Sequence, residues 1–499
     1  MDFLGIDLST IFSIQNLVAI FGGTFVGLLF GALPGLGVSI ALVLLLPLTY
    51  NMAPVSGILL LLAAFQAAEY GGSISAITLG IPGTVAAAAT CFDGNVLAKK
   101  SSPGKALAYS LVASTIGGLV GGLVLATLTK PIGRFALRLS DPEYFLIGIV
   151  GLLAVSGLSS KDRTKSLISA VLGLMASTVG VDVITGQMRF VFGRRELLDG
   201  FRLMGVMVGV FGISEMLSIV SEHLHTKYIT DTRGLKTHLS WKELKSVAKP
   251  ISLGSLIGVI LGIIPGLGSS ASTFLSYTTA KKISKHPEEF GQGSPEGIAA
   301  PEAANNATVG GALVPLLSLG IPGSSSAAIV VGAFIIHGII PGPSLFKSDI
   351  TLVNGILFGF ILTTIVMFIV GKLTTPLFAR ILVIPNTVLA PLIWILAFTG
   401  VFADRGQFFD LWMALAFGFF SFIMKKLNYS MPTFVLSFIL GSIIEQSLRR
   451  SLIMSFGSYS IFVTRPYALI LLLVIVAMLI GPYVVQFVKK RKEKKAETA

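Results

Sequence analysis

Four short motifs in this chain could hold an anion with backbone groups alone. They are Pro34-Gly35-Leu36-Gly37 with Ser39, Pro82-Gly83-Thr84, Pro265-Gly266-Leu267-Gly268-Ser269-Ser270 and Pro322-Gly323-Ser324-Ser325-Ser326, each inside a long apolar stretch. Proline is suited to the first turn of a helix, where its missing N–H is not needed. The glycines let a ligand come close to the chain, and the unpaired N–H groups of a helix start, at the positive end of its dipole, favour negative charge. Four such starts brought together would accommodate several carboxylates without a buried Arg or Lys. One such motif alone is read equally well as a place where small residues let helices pack. The paired recurrence of the motifs favours binding, because matched breaks in two halves of a membrane chain point to a transport site.

A second set of residues could hold a cation. Glu69, Asp93, Asp182, Glu215 and Glu302 are carboxylates in apolar surroundings, and ionisable groups at membrane depth are expensive and usually functional. Glu69 and Glu302 each precede a Gly-Gly pair that leads to an Ile-Pro-Gly break, and Asn305 and Asn306 add amide oxygens suited to a small cation. Glu69, Glu302, Asn305, Asn306 and Ser326 are therefore the candidates for a coupling ion. Glu69 is also placed to cap a helix end, and Asp93 to sit in a turn. Of the five histidines, three lie in the polar stretch around His223, His225 and His238, where solvated surface histidine is the simpler reading, and His337 borders a Pro-Gly turn. The single cysteine, Cys91, excludes an internal disulfide or a Cys-rich metal site. No catalytic pair or zinc motif is in view, so an intramembrane enzyme is disfavoured.

The elements that must position these residues are membrane helices. The 499 residues are 53% hydrophobic and 12% charged, with a mean hydropathy of +0.86, outside the soluble globular range. Uncharged runs such as 351–371 and 468–488 are long enough to span a hydrocarbon core of about 30 Å. The net charge of +13 sits in short loops and the tail from Lys489 to Lys495, the pattern of cytoplasmic anchors rather than of nucleic-acid binding. The first 98 residues contain no Lys or Arg, so no cleavable signal peptide is expected.

The breaks also define an internal duplication. Pro34 and Pro265 are 231 residues apart, and Pro82 and Pro322 are 240 apart, the difference falling in the polar stretch 284–301. Basic residues follow the second break of the first half (Lys99, Lys100, Lys105) but the first break of the second half (Lys281, Lys282, Lys285). Equivalent loops then lie on opposite sides of the membrane, which predicts an all-α polytopic protein of two inverted-topology repeats with broken, re-entrant helices. The expected divisions are 1–222 and 250–465 for the repeats, 223–249 for a cytoplasmic linker, 466–488 for an additional helix and 489–499 for a basic cytoplasmic tail. Helices are expected over 11–31, 34–47, 54–69, 104–129, 143–159, 166–186 and 200–220, with re-entrant chain over 73–91. The second half is expected to hold helices at 251–264, 266–280, 302–318, 322–336, 351–371, 386–402, 408–424 and 431–447. The clusters Lys130/Arg134/Arg138 and Arg189/Arg194/Arg195 fall on the external side in this scheme and are read as amphipathic interface segments.

Tyr70-Gly-Gly-Ser73, Ile81-Pro-Gly83, Asp93-Gly94, Glu296-Gly-Ile-Ala-Ala-Pro-Glu-Ala-Ala-Asn-Asn306, Leu319-Gly-Ile-Pro-Gly-Ser324, His337-Gly338 and Glu445 to Arg449 together resemble the large membrane subunit, TctA type, of the tripartite tricarboxylate transporters. The resemblance runs over nearly the whole chain. It implies a bacterial inner-membrane carrier that imports citrate-like carboxylates on a Na+ or H+ gradient, with a small TctB-type membrane subunit and a periplasmic TctC-type solute-binding protein as partners. No cofactor is expected beyond the coupling cation, and oligomeric state is left open. Elevator-type movement of a domain holding the four breaks is the expected mechanism. The alternative is a carboxylate carrier or channel that needs no binding protein.

The orientation is testable by labelling. In a Cys91→Ser background, Ser102→Cys and Ser240→Cys should resist impermeant thiol reagents added outside intact cells, while Asn51→Cys reacts. Labelling of positions 51 and 102 from one side would eliminate the inverted arrangement.

Overall fold

The computed structural model describes residues 12–34, 36–158, 163–221, 238–381 and 386–480. Gly35, most of the stretch 223–249 and the tail 489–499 lie outside the described residues. The first half comprises α1 (Ile14–Ala32), α2 (Gly37–Leu45), α3 (Pro54–Leu79), α4 (Ala88–Lys100), α5 (Pro103–Ala136), α6 (Asp141–Leu158) and α7 (Arg163–Ser177). A two-stranded hairpin, β1 (Gly180–Val181) with β2 (Met188–Arg189), follows, and then α8 (Leu203–Met207), whose helix widens into a π turn before α9 (Ser214–Ser221). The second half runs through α10 (Trp241–Ile263), α11 (Gly268–Ile283), α12 (Pro295–Leu319), α13 (Ser325–Ile336), α14 (Leu345–Ser348), α15 (Ile350–Ile381), α16 (Asn386–Arg405), α17 (Phe408–Lys426), α18 (Met431–Met454), α19 (Ile461–Thr464) and α20 (Pro466–Ile480). Among the described residues, seven helices are long and apolar enough to cross a membrane, and the protein is a multi-pass, all-α membrane protein.

Several boundaries differ from the sequence reading. α3 continues ten residues past Glu69 and closes on Gly80 at φ 72°, so the irregular chain is confined to 80–87 and Glu69 is interior to a helix rather than at its end. The segment 166–186 is a helix only to Ser177; Asp182 then accepts the backbone N–H groups of Ile184 and Thr185 at 2.8 Å and closes the hairpin turn. α10 starts at Trp241 behind a capping box of Ser240 and Glu243, so Lys242, Lys245 and Lys249 ride on a helix instead of a linker. α12 starts at Pro295, and the Pro301 ring is accommodated within it.

The chain divides into two compact units, one made of Met1–Ala136 with Phe201–Leu427, the other of Leu137–Gly200 with Asn428–Ala499. The larger unit is built on glycine contacts. A Cβ placed on Gly23, Gly27 or Gly31 of α1 would come within 2.2, 2.4 and 2.2 Å of the carbonyl oxygens of Leu60, Ala64 and Ala68 on α3. The same ladder recurs between α10 and α12, where a Cβ placed on Gly254, Gly258 or Gly262 would come within 2.1, 2.3 and 2.6 Å of the carbonyl oxygens of Ala300, Ala304 and Thr308. These six glycines and six partners correspond under the two sequence offsets. Small residues every fourth position let backbones touch, which is how apolar helices associate when lipid offers no hydrophobic drive. Gly117 and Gly121 of α5 make the same approach to Ala303 and Ala307 on a second face of α12. α12 is thereby wedged between two helices and buried from Gly297 to Ser318.

The smaller unit is held by ions as well as by packing. Arg449 on α18 reaches Asp182 at 2.5 Å and Glu445 at 3.3 Å, Arg189 of the hairpin reaches Glu445 at 2.6 Å, and Arg465 reaches the buried Glu143 at 2.7 Å. Asp182, read from sequence as a membrane-depth charge, is a loop carboxylate. The backbone N–H of Thr185, with the Arg449 guanidinium behind it, holds it far below the usual range.

The contact ladder predicts a contrast between neighbours. Gly22 has no atom within 4 Å of a built Cβ, so Gly22→Ala should be neutral or raise thermal stability by up to about 1 kcal/mol through helix propensity. Gly23→Ala and Gly27→Ala should each lose roughly 1–3 kcal/mol as the backbones part, read as lowered melting temperature of the detergent-solubilised protein.

Candidate functional site

The four breaks all belong to the larger unit and repeat one construction twice. Gly80 and Gly320 end α3 and α12 in the left-handed conformation, at φ 72° and 78°. Three residues later the chain folds back, the N–H of Gly83 donating to the Gly72 carbonyl at 3.1 Å and that of Gly323 to the Ala312 carbonyl at 3.2 Å. Thr84 and Ser324 then accept from the N–H groups of Ala87 and Ala327 at 3.3 and 3.2 Å. In the other pair of breaks, Gly37 and Gly268 open α2 and α11 at φ 67° and 62°, a backbone conformation available to glycine at little cost.

This geometry revises part of the anion reading. The N–H groups of Gly83 and Gly323 are engaged inside the protein, and that of Gly266 donates to the Gly323 carbonyl at 3.0 Å. A Cβ on Gly83 or Gly323 would meet the carbonyl of Gly31 or Gly262 at 2.0 or 2.5 Å. These glycines are close-packing positions, and the sequence could not separate that role from ligand approach. The first turns of the helices that follow mix buried and partly accessible residues. α2, α4 and α11 begin without a side-chain cap, leaving first-turn N–H groups that no carbonyl of their own helix can take, that of Ala88 in α4 alone donating to the preceding Val85 carbonyl at 3.3 Å among the bonds described. Pro34, Gly37, Ser39, Pro82, Pro265, Gly266, Gly268, Ser269, Ser270, Ser324 and Ser325 are partly accessible, whereas Leu36, Gly83, Thr84, Pro322, Gly323 and Ser326 are buried.

The two membrane carboxylates have opposite environments. Glu302, 1% exposed, is saturated: Ser73 of α3 and Thr90 of α4 donate to Oε1, and Ser110 and Ser114 of α5 donate to Oε2 at 2.9 and 2.8 Å. Four hydroxyls from three helices converge on it, so this carboxylate ties α3, α4 and α5 to α12. Glu69 has one donor, Ser269 of α11, at 2.8 Å to Oε1. Asn305 and Asn306 donate to the backbone carbonyls of Glu69 and Gln66 at 3.2 and 3.1 Å, while the Gln66 amide is engaged by Thr363 and Thr364 of α15 at 2.9 Å each. Gln66 and Asn306 are equivalent positions of the two halves and meet across the centre. Ser326 is buried at the start of α13, and no bond joins it to Glu69 or Glu302 among the described residues.

Asp93 proves structural. Its Oδ1 accepts the N–H groups of Gly291, Gly293 and Ser294 at 2.8, 2.8 and 2.7 Å, and its Oδ2 the Tyr277 hydroxyl at 2.9 Å, which fastens α4 to the loop before α12. Glu215 pairs with Lys425 at 2.7 Å. His337, half-buried behind α13, has its imidazole held below the usual value by burial. Sequence reasoning missed the hydroxyls around Glu302, since Ser73, Thr90, Ser110 and Ser114 occur singly; the 110/114 spacing of one helical turn was the available signal.

Residues 17–436 match the family described as the tripartite tricarboxylate transporter TctA family. The chain belongs to that family. This TctA-family protein is 36% identical over 94% of both chains to a relative from Agrobacterium vitis described as the uncharacterized 52.8 kDa protein in the TAR-I ttuC' 3' region. A second relative of that organism, described as an uncharacterized protein in the TAR-II ttuC' 3' region, is 37% identical over 43% of this chain and 89% of its own. No solved structure is significantly similar. The family is one of transporters, its members being membrane subunits of tripartite systems in the bacterial inner membrane, and the seven apolar helices place this TctA-family protein in that membrane.

Glu302 gives the site prediction. Glu302→Ala leaves four buried hydroxyls without their acceptor and should cost several times the ~1 kcal/mol of a typical hydrogen bond, so that little folded protein is recovered. Glu302→Gln should fold, because hydroxyls can rotate to accept from the amide, with a melting temperature between the two. Equal melting of wild type and Glu302→Ala would show that the cage contributes nothing.

Proposed function

We propose that this protein is the large permease subunit of a binding-protein-dependent system that imports tricarboxylates or related citrate-like carboxylates on a cation gradient, with TctB-type and TctC-type partners. The observation that carries the reading is the set of uncapped helix starts at α2, α4 and α11 beside the partly accessible hydroxyls of Ser39, Ser269, Ser270, Ser324 and Ser325. Uncapped N–H groups and hydroxyls are donors, and a polycarboxylate is all acceptors. Such a site holds the anion through dipoles and releases it more readily than fixed Arg or Lys would. The matched glycine ladders and matched breaks support two repeats, and the exchanged basic loops support their inversion. The location of all four breaks in one of two compact units supports an elevator-type movement of that unit.

Counterflow tests the carrier. Proteoliposomes holding the permease with its small subunit and binding protein, preloaded with unlabelled citrate, should transiently accumulate external labelled citrate above equilibrium without any ion gradient. A smooth approach to equilibrium would identify a channel, and omission of the binding protein without effect would identify a stand-alone carrier.

A further inference from the structure

Two of the buried side chains at the centre of the larger unit present oxygens that receive no hydrogen bond. Glu69, 4% exposed, has Oε2 unpartnered, and Asn305, 1% exposed, has Oδ1 unpartnered. Buried polar atoms are almost always paired, and an orphan in a native structure calls for a missing water or ion. The identity of the Asn305 atoms is fixed by chemistry: its other end donates to the Glu69 carbonyl at 3.2 Å, so that end is nitrogen and the free end is an acceptor. The same amide lies against the Glu69 carboxyl. Asn306 also has an unpartnered Oδ1, but its nitrogen is bound to the Gln66 carbonyl, one turn earlier on α3, which sets it apart from the pair.

The charge around these atoms is wholly negative. Among the described residues no Lys, Arg or His pairs with Glu69, and Glu302 on α12 is near enough to repel it. Glu302 is the titratable group facing Glu69, and Cys91 of α4 also lies within reach of the Glu302 charge. Every lone-pair direction that Glu302 needs is already met by the four hydroxyls, so it has no position left for a ligand, while its field remains. A carboxylate oxygen and an amide oxygen, both without donors, beside a second, saturated carboxylate make a place for one positive charge.

We infer that Glu69 Oε2 and Asn305 Oδ1 bind a single monovalent positive charge, a sodium ion or a proton, with Glu302 attracting it as a fixed field and not as a ligand. This rests on the ion-coupled reading above and narrows its five candidates to two. The link to the carboxylate site is Ser269, whose hydroxyl donates to the other oxygen of Glu69 at 2.8 Å from the first turn of α11, immediately after the third break. Without the cation the full carboxylate charge holds that hydroxyl. Once the charge is neutralised the hold weakens, and Ser269 is released to donate toward an incoming carboxylate. Cation and anion therefore favour each other's binding through one hydroxyl, as linkage requires of a symporter.

The test is made without any carboxylate, so its outcome is independent of whether citrate is the substrate. Full-length protein in detergent is titrated with radioactive 22Na+ at constant ionic strength made up with choline, and infrared difference spectra follow the protonated-carboxyl band over the same range of pH. Glu69→Gln is isosteric and still accepts from Ser269, and folding of each variant is checked by gel filtration. Saturable 22Na+ binding that weakens at least tenfold in both Glu69→Gln and Asn305→Ala, and is unchanged in the surface variant Glu288→Gln, assigns the site to sodium. Absence of 22Na+ binding together with a protonated-carboxyl band that disappears in Glu69→Gln and shifts in Asn305→Ala assigns it to the proton. Sodium binding unaltered by both substitutions, or neither sodium binding nor a Glu69-dependent band, overturns the inference.

Discussion

The contact of glycine with a backbone carbonyl is the constraint on which the larger unit depends. Lipid gives helices no reason to associate through apolar side chains, so adhesion must come from close approach of the backbones. Gly23, Gly27 and Gly31 do this for α1 against α3, and Gly254, Gly258 and Gly262 for α10 against α12. The breaks inherit their positions from these ladders. The final rung in each case, Gly31 or Gly262, also receives the chain returning at Gly83 or Gly323, so the irregular backbone is stacked directly on a rigid one. That is the condition under which non-helical chain is tolerated at membrane depth.

On this nearly symmetric frame the polar groups are placed asymmetrically. The positions equivalent to Glu69 and Glu302 are Val309 and Leu62, and those equivalent to Ser269 and Asn305 are Val38 and Phe65. One half supplies Glu69 and the other supplies Ser269, Asn305 and Glu302, so the polar centre is formed only where the halves meet. The two carboxylates differ in physical role because they differ in donors. Four hydroxyls make Glu302 a structural node; a single hydroxyl leaves Glu69 with an unfilled oxygen.

The fold class and the location of the breaks could be read from the sequence because they are written in local signals: uncharged runs and Pro-Gly pairs. Helix ends were less legible. α3 passes through Gly71 and Gly72 without ending because those glycines are packed against Gly31 and Thr84, a tertiary reason that no window of sequence contains. The roles of Gly83 and Gly323 were ambiguous in the same way, since glycine that admits a ligand and glycine that admits another backbone are identical as letters. Asp93 and Glu302 were recognisable as costly charges, but their purpose depends on donors far away in sequence, Gly291 to Ser294 for one and Ser73, Thr90, Ser110 and Ser114 for the other.

The glycine ladders also bear on how force travels through the molecule. Two helices separated by a layer of side chains can slide a little, because rotamers absorb the displacement. Where carbonyl oxygens rest against glycine Cα atoms there are no rotamers to change, and a small shift must either be refused or be passed on whole. α1 with α3, and α10 with α12, are therefore each a single stiff spar. A push on such a spar is carried along it to the break, where Gly83 and Gly323 rest on Gly31 and Gly262 through the same kind of contact, so each spar and the chain returning onto it shift together.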